Sequence, residues 1–276
     1  MTATASAMAT PDLYPRRIVC LTEETTEILY LLGEQDRIVG ISGYTVRPPR
    51  ARQEKPKVSA FLSAKIDKIL ALEPDLVLGF SDLQADIASQ LIRAGVPVHV
   101  FNQRGITTIL QTIAMVGAMV GAHQRTAALL AELQSGLDAV AAGAATLPRR
   151  PRVYFEEWMD PLISGIGWVS ELIVLAGGEE CFPELAGQSL GKNRIIADPL
   201  EVVRRAPDLI LGSWCGRKFR PDQVIARPGW QDVPAVRNGQ VFEIKSSEIL
   251  QPGPAALTDG VRQIAARIQA WAALQG

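Results

Sequence analysis

Apolar and polar residues alternate along this chain in a helix–strand unit that occurs twice. The stretch 67–80 begins with apolar residues at helical spacing, breaks at Pro74, and ends in the apolar run 76–80. The stretch 200–214 repeats this order around Pro207. A residue before proline is pushed out of the helical region, and a short continuous apolar run is typical of a strand covered on both faces. The repeat therefore predicts two similar α/β lobes.

The remaining pattern extends this order over most of the chain. Further strands are predicted at 17–22, 37–42, 96–101, 152–155 and 240–244, and further helices at 23–32, 82–94, 170–176 and 255–274. Alternating strands and helices favour parallel, doubly wound sheets. Residues 106–145 are helical almost throughout, with a break near Gly121, and predict a connector. The expected organisation is a disordered leader (1–15), a first lobe (16–121), a connecting helix (122–147) and a second lobe (148–276).

Composition and charge narrow the class of protein. Hydrophobic residues make up 47% of the chain and charged residues 21%, which is typical of a globular protein. The net charge of −1 gives no argument for nucleic-acid binding. Three scattered cysteines and two histidines do not form a zinc motif, and no apolar run is long enough to span a bilayer. Residues 1–15 lack the apolar core of a signal peptide, so the sequence as written predicts a cytoplasmic protein, or a periplasmic one if the true start lies upstream.

Candidate binding residues follow from the strand ends, because open α/β sheets bind ligands outside the carboxyl ends of their strands. The first lobe offers Glu23, Glu24, Tyr44, Phe61, Phe80 and Ser81, and the second offers Glu156, Glu157, Trp158, Trp168, Trp214, Cys215, Ser247 and Glu248. Aromatic residues at these ends suit a broad, amphipathic ligand. Trp158 and Trp214 could instead pack in a core, and the helix dipole alone favours Glu23 and Glu24. The glutamates could bind a cation or pair with Arg47, Lys192 and Arg194; we predict no metal site.

Several of these stretches together resemble the class III (cluster A-2) substrate-binding proteins of ABC importers. They are the turn TEETTE at 22–27, VGISGY at 39–44, the unit at 69–78, the helical connector and the second Pro-Asp unit. The resemblance runs from Arg16 to the final helix and is closest to the vitamin B12-binding branch. It implies an α/β fold with two Rossmann-like lobes and mainly parallel sheets, joined by one long rigid helix with little hinge motion. It also implies ligand binding between the lobes, with no required cofactor and no catalysis.

The B12-binding branch implies cobalamin or a related corrinoid as the ligand. Tyr44 and Phe61 match aromatic residues that contact the corrin ring in that branch. In this family, docking to a permease implies a carboxylate on each lobe. Asp67 occupies the position of the first carboxylate. The position of the second is occupied by Leu200, and the neighbouring residue is Glu201. The acidic cleft departs from that branch, whose pockets are largely aromatic.

Two other functions stay open at this point. The same fold could bind a ferric siderophore, haem or another metal chelate. The chain could also be an intracellular cofactor-handling protein or enzyme that uses Glu156, Glu157 and Cys215. Nucleotide-binding and hydrolase motifs (GxGxxG, the Walker loop and GxSxG) are absent from the sequence, which favours binding without catalysis.

Overall fold

The first lobe is built on a sheet of five parallel strands. The computed structural model describes residues 13–275, so most of the predicted leader (1–15) lies outside the described residues. The strands are β1 (Ile18–Cys20), β2 (Ile38–Ser42), β3 (Lys57–Ser59), β4 (Leu76–Phe80) and β5 (Val98–Phe101). Their order across the sheet is β3-β2-β1-β4-β5, and every neighbouring pair is parallel. The prediction of a parallel, doubly wound sheet is confirmed.

Helices cover both faces of this sheet. They are α1 (Glu23–Leu31), α2 (Ala51–Glu54), α3 (Ile66–Leu70) and α4 (Ala85–Arg93), with 3₁₀ turns at Gln35–Arg37 and Asp82–Gln84. Alternate residues of β1 separate the two faces. Ile18 and Cys20 belong to the core that contains α1, whereas Val19 and Leu21 pack with α4 on the opposite side. Burial on both faces explains the uninterrupted apolar run.

Two consecutive helices lead from the first sheet to the second. They are α5 (Ile106–Met119) and α6 (His123–Ala145), separated at Gly121, whose φ of +71° is readily adopted only by glycine. The predicted break therefore lies at the expected place. Leu133 and Leu137 of α6 share one buried core with residues of both sheets, so the two lobes are packed together as well as linked by the chain.

The second lobe contains a mixed sheet. Its strands are β6 (Arg152–Met159), β7 (Leu162–Ser164), β8 (Glu179–Glu180), β9 (Leu209–Gly212) and β10 (Val241–Glu243), in the order β10-β9-β6-β7, with β8 also paired to β6. Only β7 runs antiparallel among these described pairs. The strand predicted at 152–155 is four residues longer because it continues into a hairpin with β7.

Short helices and one long helix complete the second lobe. They are α7 (Gly167–Leu175), α8 (Pro183–Ala186), α9 (Leu200–Arg205), α10 (Pro221–Ile225), α11 (Pro234–Arg237), α12 (Ser246–Ile249) and α13 (Val261–Ala273). A 3₁₀ turn lies at Gly191–Asn193, and a π-helical turn, Ala256–Gly260, leads directly into α13. Within residues 13–275, no helix combines the length and apolarity needed to cross a membrane.

The repeated Pro-Asp pair has the same structural role in both lobes. The residue before each proline is left-handed, with φ of 46° at Glu73 and 44° at Ala206. The following aspartate then accepts a hydrogen bond from the backbone at the start of the central strand: Asp75 from Arg17 N at 2.9 Å and Asp208 from Arg152 N at 2.8 Å. Each Pro-Asp pair thus ends a helix and aligns a new strand beside the central one.

Candidate functional site

A cavity of about 730 Å³ lies between the lobes, beyond the carboxyl ends of the central strands. Nine of the fourteen predicted ligand-binding residues line it: Glu23, Glu24, Tyr44, Phe61, Phe80, Glu157, Trp168, Cys215 and Ser247. Its volume falls within the range of about 300–1,000 Å³ that is usual for small-molecule sites. The expectation that ligands bind beyond the carboxyl ends of the strands (the strand-end rule) therefore leads to this cavity, although it does not identify every residue of the cavity wall.

The first turn of α1 places carboxylates in the cavity wall. This helix begins three residues after β1 ends, so Glu23 and Glu24 emerge at the carboxyl end of the central strand. The Glu24 side chain is 1% exposed and accepts a 2.6 Å hydrogen bond from the Thr22 hydroxyl. Burial raises the pKa of Glu24 to about 8 and also raises the pKa of Glu23. The Glu24 carboxyl is therefore largely protonated at neutral pH.

Glu27, one turn further along α1, joins the two lobes at the base of the cavity. Its carboxylate accepts a hydrogen bond from Arg47 Nε at 2.8 Å and another from the backbone N–H of Ala255 at 3.2 Å. Arg47 also pairs with Asp259 of the π-helical turn, at 2.8 Å. Burial raises the pKa of Glu27 and Arg47 opposes this rise. These contacts tie α1 to the segment that precedes α13.

Aromatic side chains form much of the apolar wall. Tyr44 lies on the loop after β2 and is 57% exposed, while the Phe61 and Phe80 rings lie 6.5 Å apart. Trp168 lines the cavity from the second lobe and is 2% exposed. Its indole nitrogen donates a 2.8 Å hydrogen bond to the carbonyl oxygen of Ile249, which fixes the ring at the cavity wall. An aromatic surface of this kind is suited to a flat ligand.

Adjacent glutamates of β6 point in opposite directions, as alternation along a strand requires. Glu157 lines the cavity and forms a two-point ion pair with Arg194, with N–O distances of 2.7 and 2.9 Å. Glu156 points instead into the core of the second lobe, where it is fully buried. This placement agrees with the sequence prediction that one member of the pair faces the cleft, and Arg194 is one of the basic neighbours that the sequence offered as an alternative to a bound cation.

Cys215, on a loop, and Ser247, in a short helix, line the cavity from the second lobe. Cys215 is an exposed thiol in the cavity wall, and its pKa is raised by burial of the sulfur and by the nearby carboxylates Glu157 and Glu23. The thiol form therefore predominates at neutral pH, which argues against a nucleophilic cysteine. Ser247 lies in α12, next to the segment that contacts α1.

Two tryptophans predicted in the cleft do not line the cavity. Trp214 is 2% exposed, packs edge-on against Phe219 and donates its indole N–H to Glu156 at 2.9 Å. Trp158 packs beside the same second-lobe core, and its indole N–H donates to the carbonyl oxygen of Asp160 at 3.0 Å. Both side chains have hydrogen-bond partners within their own lobe, and those partners hold them away from the cleft.

Three predicted polar residues also lie outside the cavity. Glu156 is held in the core by Arg227, Trp214 and Tyr154. The Ser81 hydroxyl accepts a hydrogen bond from the backbone N–H of Leu83 at the start of the 3₁₀ turn. Glu248 accepts a hydrogen bond from the Gln263 side chain at 2.7 Å. Each of these side chains is held by a partner in its own lobe, so proximity to a strand end does not bring it to the site.

The sequence pattern did not identify several residues of the cavity wall. Arg104 follows β5 by three residues, and Gln251 follows α12 by two; the Gln251 amide donates to Glu23 at 3.3 Å. Both lie on loops beyond the strand or helix end, where the strand-end rule stops. Within residues 13–275, no group of three or more His, Cys, Asp and Glu residues is arranged to hold a metal ion.

The two predicted docking carboxylates lie outside the cavity, each at the second residue of a short helix. Asp67 is exposed on α3, whereas Glu201 of α9 is half-buried and already paired with Arg204 and Arg205, at 2.7 and 2.8 Å. The repeated unit thus presents a carboxylate in both lobes, although only that of the second lobe is neutralised by its own helix.

Comparison with known proteins gives a consistent family assignment. Residues 18–248 match the periplasmic binding protein family. The chain is 26% identical over 263 residues to the uncharacterized ABC transporter substrate-binding lipoprotein YvrC of Bacillus subtilis, covering 92% of this chain and 80% of that protein. It is 25% identical over 244 residues to a vitamin B12-binding protein of Vibrio parahaemolyticus, covering 87% and 85%. The apo structure of the periplasmic heme-binding protein RhuT from Roseiflexus is similar, with a TM-score of 0.78, 25% identity and coverage of 92% and 99%.

Proposed function

Because the chain belongs to the periplasmic binding protein family, with the class III fold, we propose that it is the substrate-binding protein of an ABC importer. Its ligand would be a corrinoid, either cobalamin or a precursor, bound without catalysis between the lobes. The observation that carries this proposal is the interlobe cavity, which is lined by Tyr44, Phe61 and Phe80 of the first lobe and by Trp168 of the second. A broad macrocycle can stack on the more accessible Tyr44 and Phe61, while Phe80 and Trp168, which are 5% and 2% exposed, form the wall behind them.

The polar groups of the cavity favour a corrinoid over an anionic chelate. A corrin ring carries amide side chains, which both donate and accept hydrogen bonds. Carboxylates such as Glu23 can accept from these amides, and the Arg104 guanidinium can donate to them. Haem and most ferric siderophores instead present carboxylates or other anionic oxygens, which Glu23 would repel.

Haem is the second candidate ligand, and the Tyr44 phenol supports it. Tyrosine is one of the side chains that hold haem iron, and Tyr44 is well exposed at the cavity rim. Neither of the chain's two histidines lines the cavity. RhuT, whose fold is similar, is a periplasmic heme-binding protein.

Membership of this family also bears on the compartment in which the protein works and on the protein to which it docks. It favours the periplasmic alternative over the cytoplasmic one, and we propose an importer permease as the partner of the loaded protein. Asp67 and Glu201 remain the proposed docking carboxylates. Because Arg204 and Arg205 already neutralise Glu201, we propose that Asp67 contributes more of the electrostatic attraction.

The decisive experiment is titration of the purified protein with hydroxocobalamin and, separately, with haemin. Trp168 is in the cavity wall, so we expect cobalamin to quench its fluorescence with saturation in the micromolar range or tighter, accompanied by heat in a calorimetric titration. No quenching and no heat with cobalamin at tens of micromolar would exclude the corrinoid. Saturable haemin binding with a shifted Soret band, in the absence of cobalamin binding, would favour the second candidate.

Substitution of Tyr44 by alanine should weaken cobalamin binding by about five- to tenfold, because the variant loses an aromatic contact and part of the buried ligand surface. The calorimetric Kd measures this loss. Tyr14→Ala is the matched control, since Tyr14 is also an exposed tyrosine and does not line the cavity. An unchanged Kd for Tyr44→Ala would show that the ligand does not reach this rim of the cavity.

A further inference from the structure

Arg104 is the arginine of the cavity that has no carboxylate partner among the described residues. The other two cavity arginines are neutralised: Arg47 by Glu27 and Asp259, and Arg194 by Glu157. Arg104 donates from Nε to the Asn102 side-chain oxygen at 3.1 Å, and its guanidinium carbon lies 4.6 Å from the centroid of the Phe80 ring. These contacts hold the guanidinium in place without cancelling its charge.

The two terminal nitrogens of Arg104 are therefore available to a ligand. Both have no hydrogen-bond partner among the described residues, whereas Nε is occupied by Asn102. An arginine held over an aromatic ring, with both terminal nitrogens unpaired, is well placed to bind two oxygens of one anion. Burial lowers the pKa of Arg104, with a smaller contribution from Arg194, whereas the nearby carboxylates of Asp82 and Glu157 oppose this shift without forming an ion pair with Arg104.

Arg194 supplies a second, independent observation from the opposite lobe. Its side chain is 1% exposed, lines the same cavity and retains a buried Nε with no hydrogen-bond partner in the described structure. Its other donors bind Glu157 and the carbonyl oxygen of Ser164. A buried N–H without an acceptor is costly, and the residue that carries it lines the same cavity as Arg104.

The charges of the cavity are separated along the first sheet. Glu23 follows β1, whereas Arg104 follows β5, and β4 lies between these strands. Two strand spacings place the acidic and basic ends about 10 Å apart. A ligand with a cationic core and one peripheral anion would match both ends of the cavity.

We propose that Arg104, backed by Arg194, recognises a single phosphodiester anion on the ligand, a proposal that rests on the proposed corrinoid function. In cobalamin this anion belongs to the nucleotide tail, and the cobalt–corrin core carries the positive charge. Cobinamide has the same ring but no nucleotide tail. The structure thus assigns to Arg104 the discrimination between complete and incomplete corrinoids.

The space beyond Arg104 is consistent with a tailed ligand. A second cavity of about 650 Å³ adjoins the first, and Arg104, Ile166 and Ser189 line both. The wall of this second cavity includes the apolar side chains Ile106 and Val174 together with the carboxyl groups of Glu171 and Glu180. A phosphodiester bound at Arg104 would have the macrocycle on one side and room for a planar base on the other.

The test compares cobalamin and dicyanocobinamide in calorimetric titrations of the full-length protein and its Arg104→Gln variant. We expect the variant to bind cobalamin at least about tenfold more weakly, as for loss of a charge-assisted hydrogen bond, and cobinamide within about twofold of wild type. Arg104→Lys keeps the positive charge but cannot donate two parallel hydrogen bonds to one anion, so this variant should recover part of the cobalamin affinity. Arg267→Gln is the matched control, because Arg267 lies 3.9 Å from the Phe242 ring, is exposed and does not line the cavity.

The outcomes separate this proposal from the function on which it rests. Equal losses of affinity for cobalamin and cobinamide in Arg104→Gln would overturn the phosphodiester assignment and leave corrinoid binding intact. Unchanged affinities for both corrinoids would also overturn it. Failure of the wild-type protein to bind either corrinoid would overturn the proposed function and this assignment together.

Discussion

Replacement of Arg227 by methionine should destabilise the protein by about 3–5 kcal/mol, the usual cost of removing one partner of a buried ion pair. Glu156 is fully buried, and Arg227 donates to both of its oxygens at 2.5 and 2.8 Å. Trp214 and Tyr154 complete its shell at 2.9 and 3.2 Å. Without Arg227, the carboxylate would keep two neutral donors but lose its compensating charge. The free energy of unfolding, from urea denaturation at pH 7, measures the loss.

Arg220→Met is the matched control for this prediction. Arg220 also pairs with a carboxylate, Asp222 at 2.9 Å, but both side chains are more than half exposed. Exposed pairs of this kind contribute about 0–1 kcal/mol. A further substitution, Glu156→Gln in the Arg227→Met background, should recover about 1–3 kcal/mol, because the amide can still accept from Trp214 without a buried charge. Equal losses in Arg227→Met and Arg220→Met would contradict the prediction.

The Glu156 cluster also shows where sequence reasoning about the site fails. Alternation along a strand indicates that Glu156 and Glu157 face opposite ways, but not which of them faces the cleft. The pairing of β6 with β7 shifts register between Glu156 and Trp158, so counting from the strand end does not give the face reliably. Trp214 sits at a strand end as predicted, yet its hydrogen bond to the buried Glu156 keeps it in the core. The partner that decides its position is 58 residues away in sequence.

Local patterns nevertheless predicted the scaffold and the first-lobe side of the cavity. The run 76–80 is buried on both faces as its composition requires, and each Pro-Asp pair marks the start of a strand. Glu23, Tyr44 and Phe80 could be placed because each lies within two residues of a strand end or begins the following helix. Arg104 could not, because its position depends on a loop, on Asn102 and on the Phe80 ring rather than on any periodic pattern.

Glu24 gives the second large effect, a stability that falls as the pH rises. Its burial arises where α1 meets the second lobe: a Cβ added at Gly253 would lie 2.6 Å from the Glu24 Cβ, so the backbones approach closely there. This packing raises the pKa of Glu24 from the ordinary glutamate value of 4.5 to about 8, chiefly through desolvation. The folded protein therefore holds this proton more tightly than the unfolded chain does.

The sign of the effect follows from proton linkage. A raised pKa in the folded state contributes stability that is complete below about pH 4.5 and is lost as the pH rises through about 8. Between pH 5 and pH 9 the loss amounts to about 4 kcal/mol, because the full slope of about 1.4 kcal/mol for each pH unit applies only between the two pKa values and flattens near each of them. Glutamine cannot ionise, so Glu24→Gln should lack this loss.

We therefore expect Glu24→Gln to be close to wild type in stability at pH 5 and about 4 kcal/mol more stable than wild type at pH 9. Urea denaturation at both pH values measures the difference, and equal denaturant slopes in the two proteins are required for the comparison. Contributions from Glu23 and Glu27, whose pKa values are also raised by burial, are present in both proteins and largely cancel. Glu132→Gln is the control, since Glu132 is exposed on α6 and should leave the pH profile unchanged. Parallel stability profiles for wild type and Glu24→Gln would mean that Glu24 is ionised in the folded protein, and that the acidic end of the cavity carries its full charge at neutral pH.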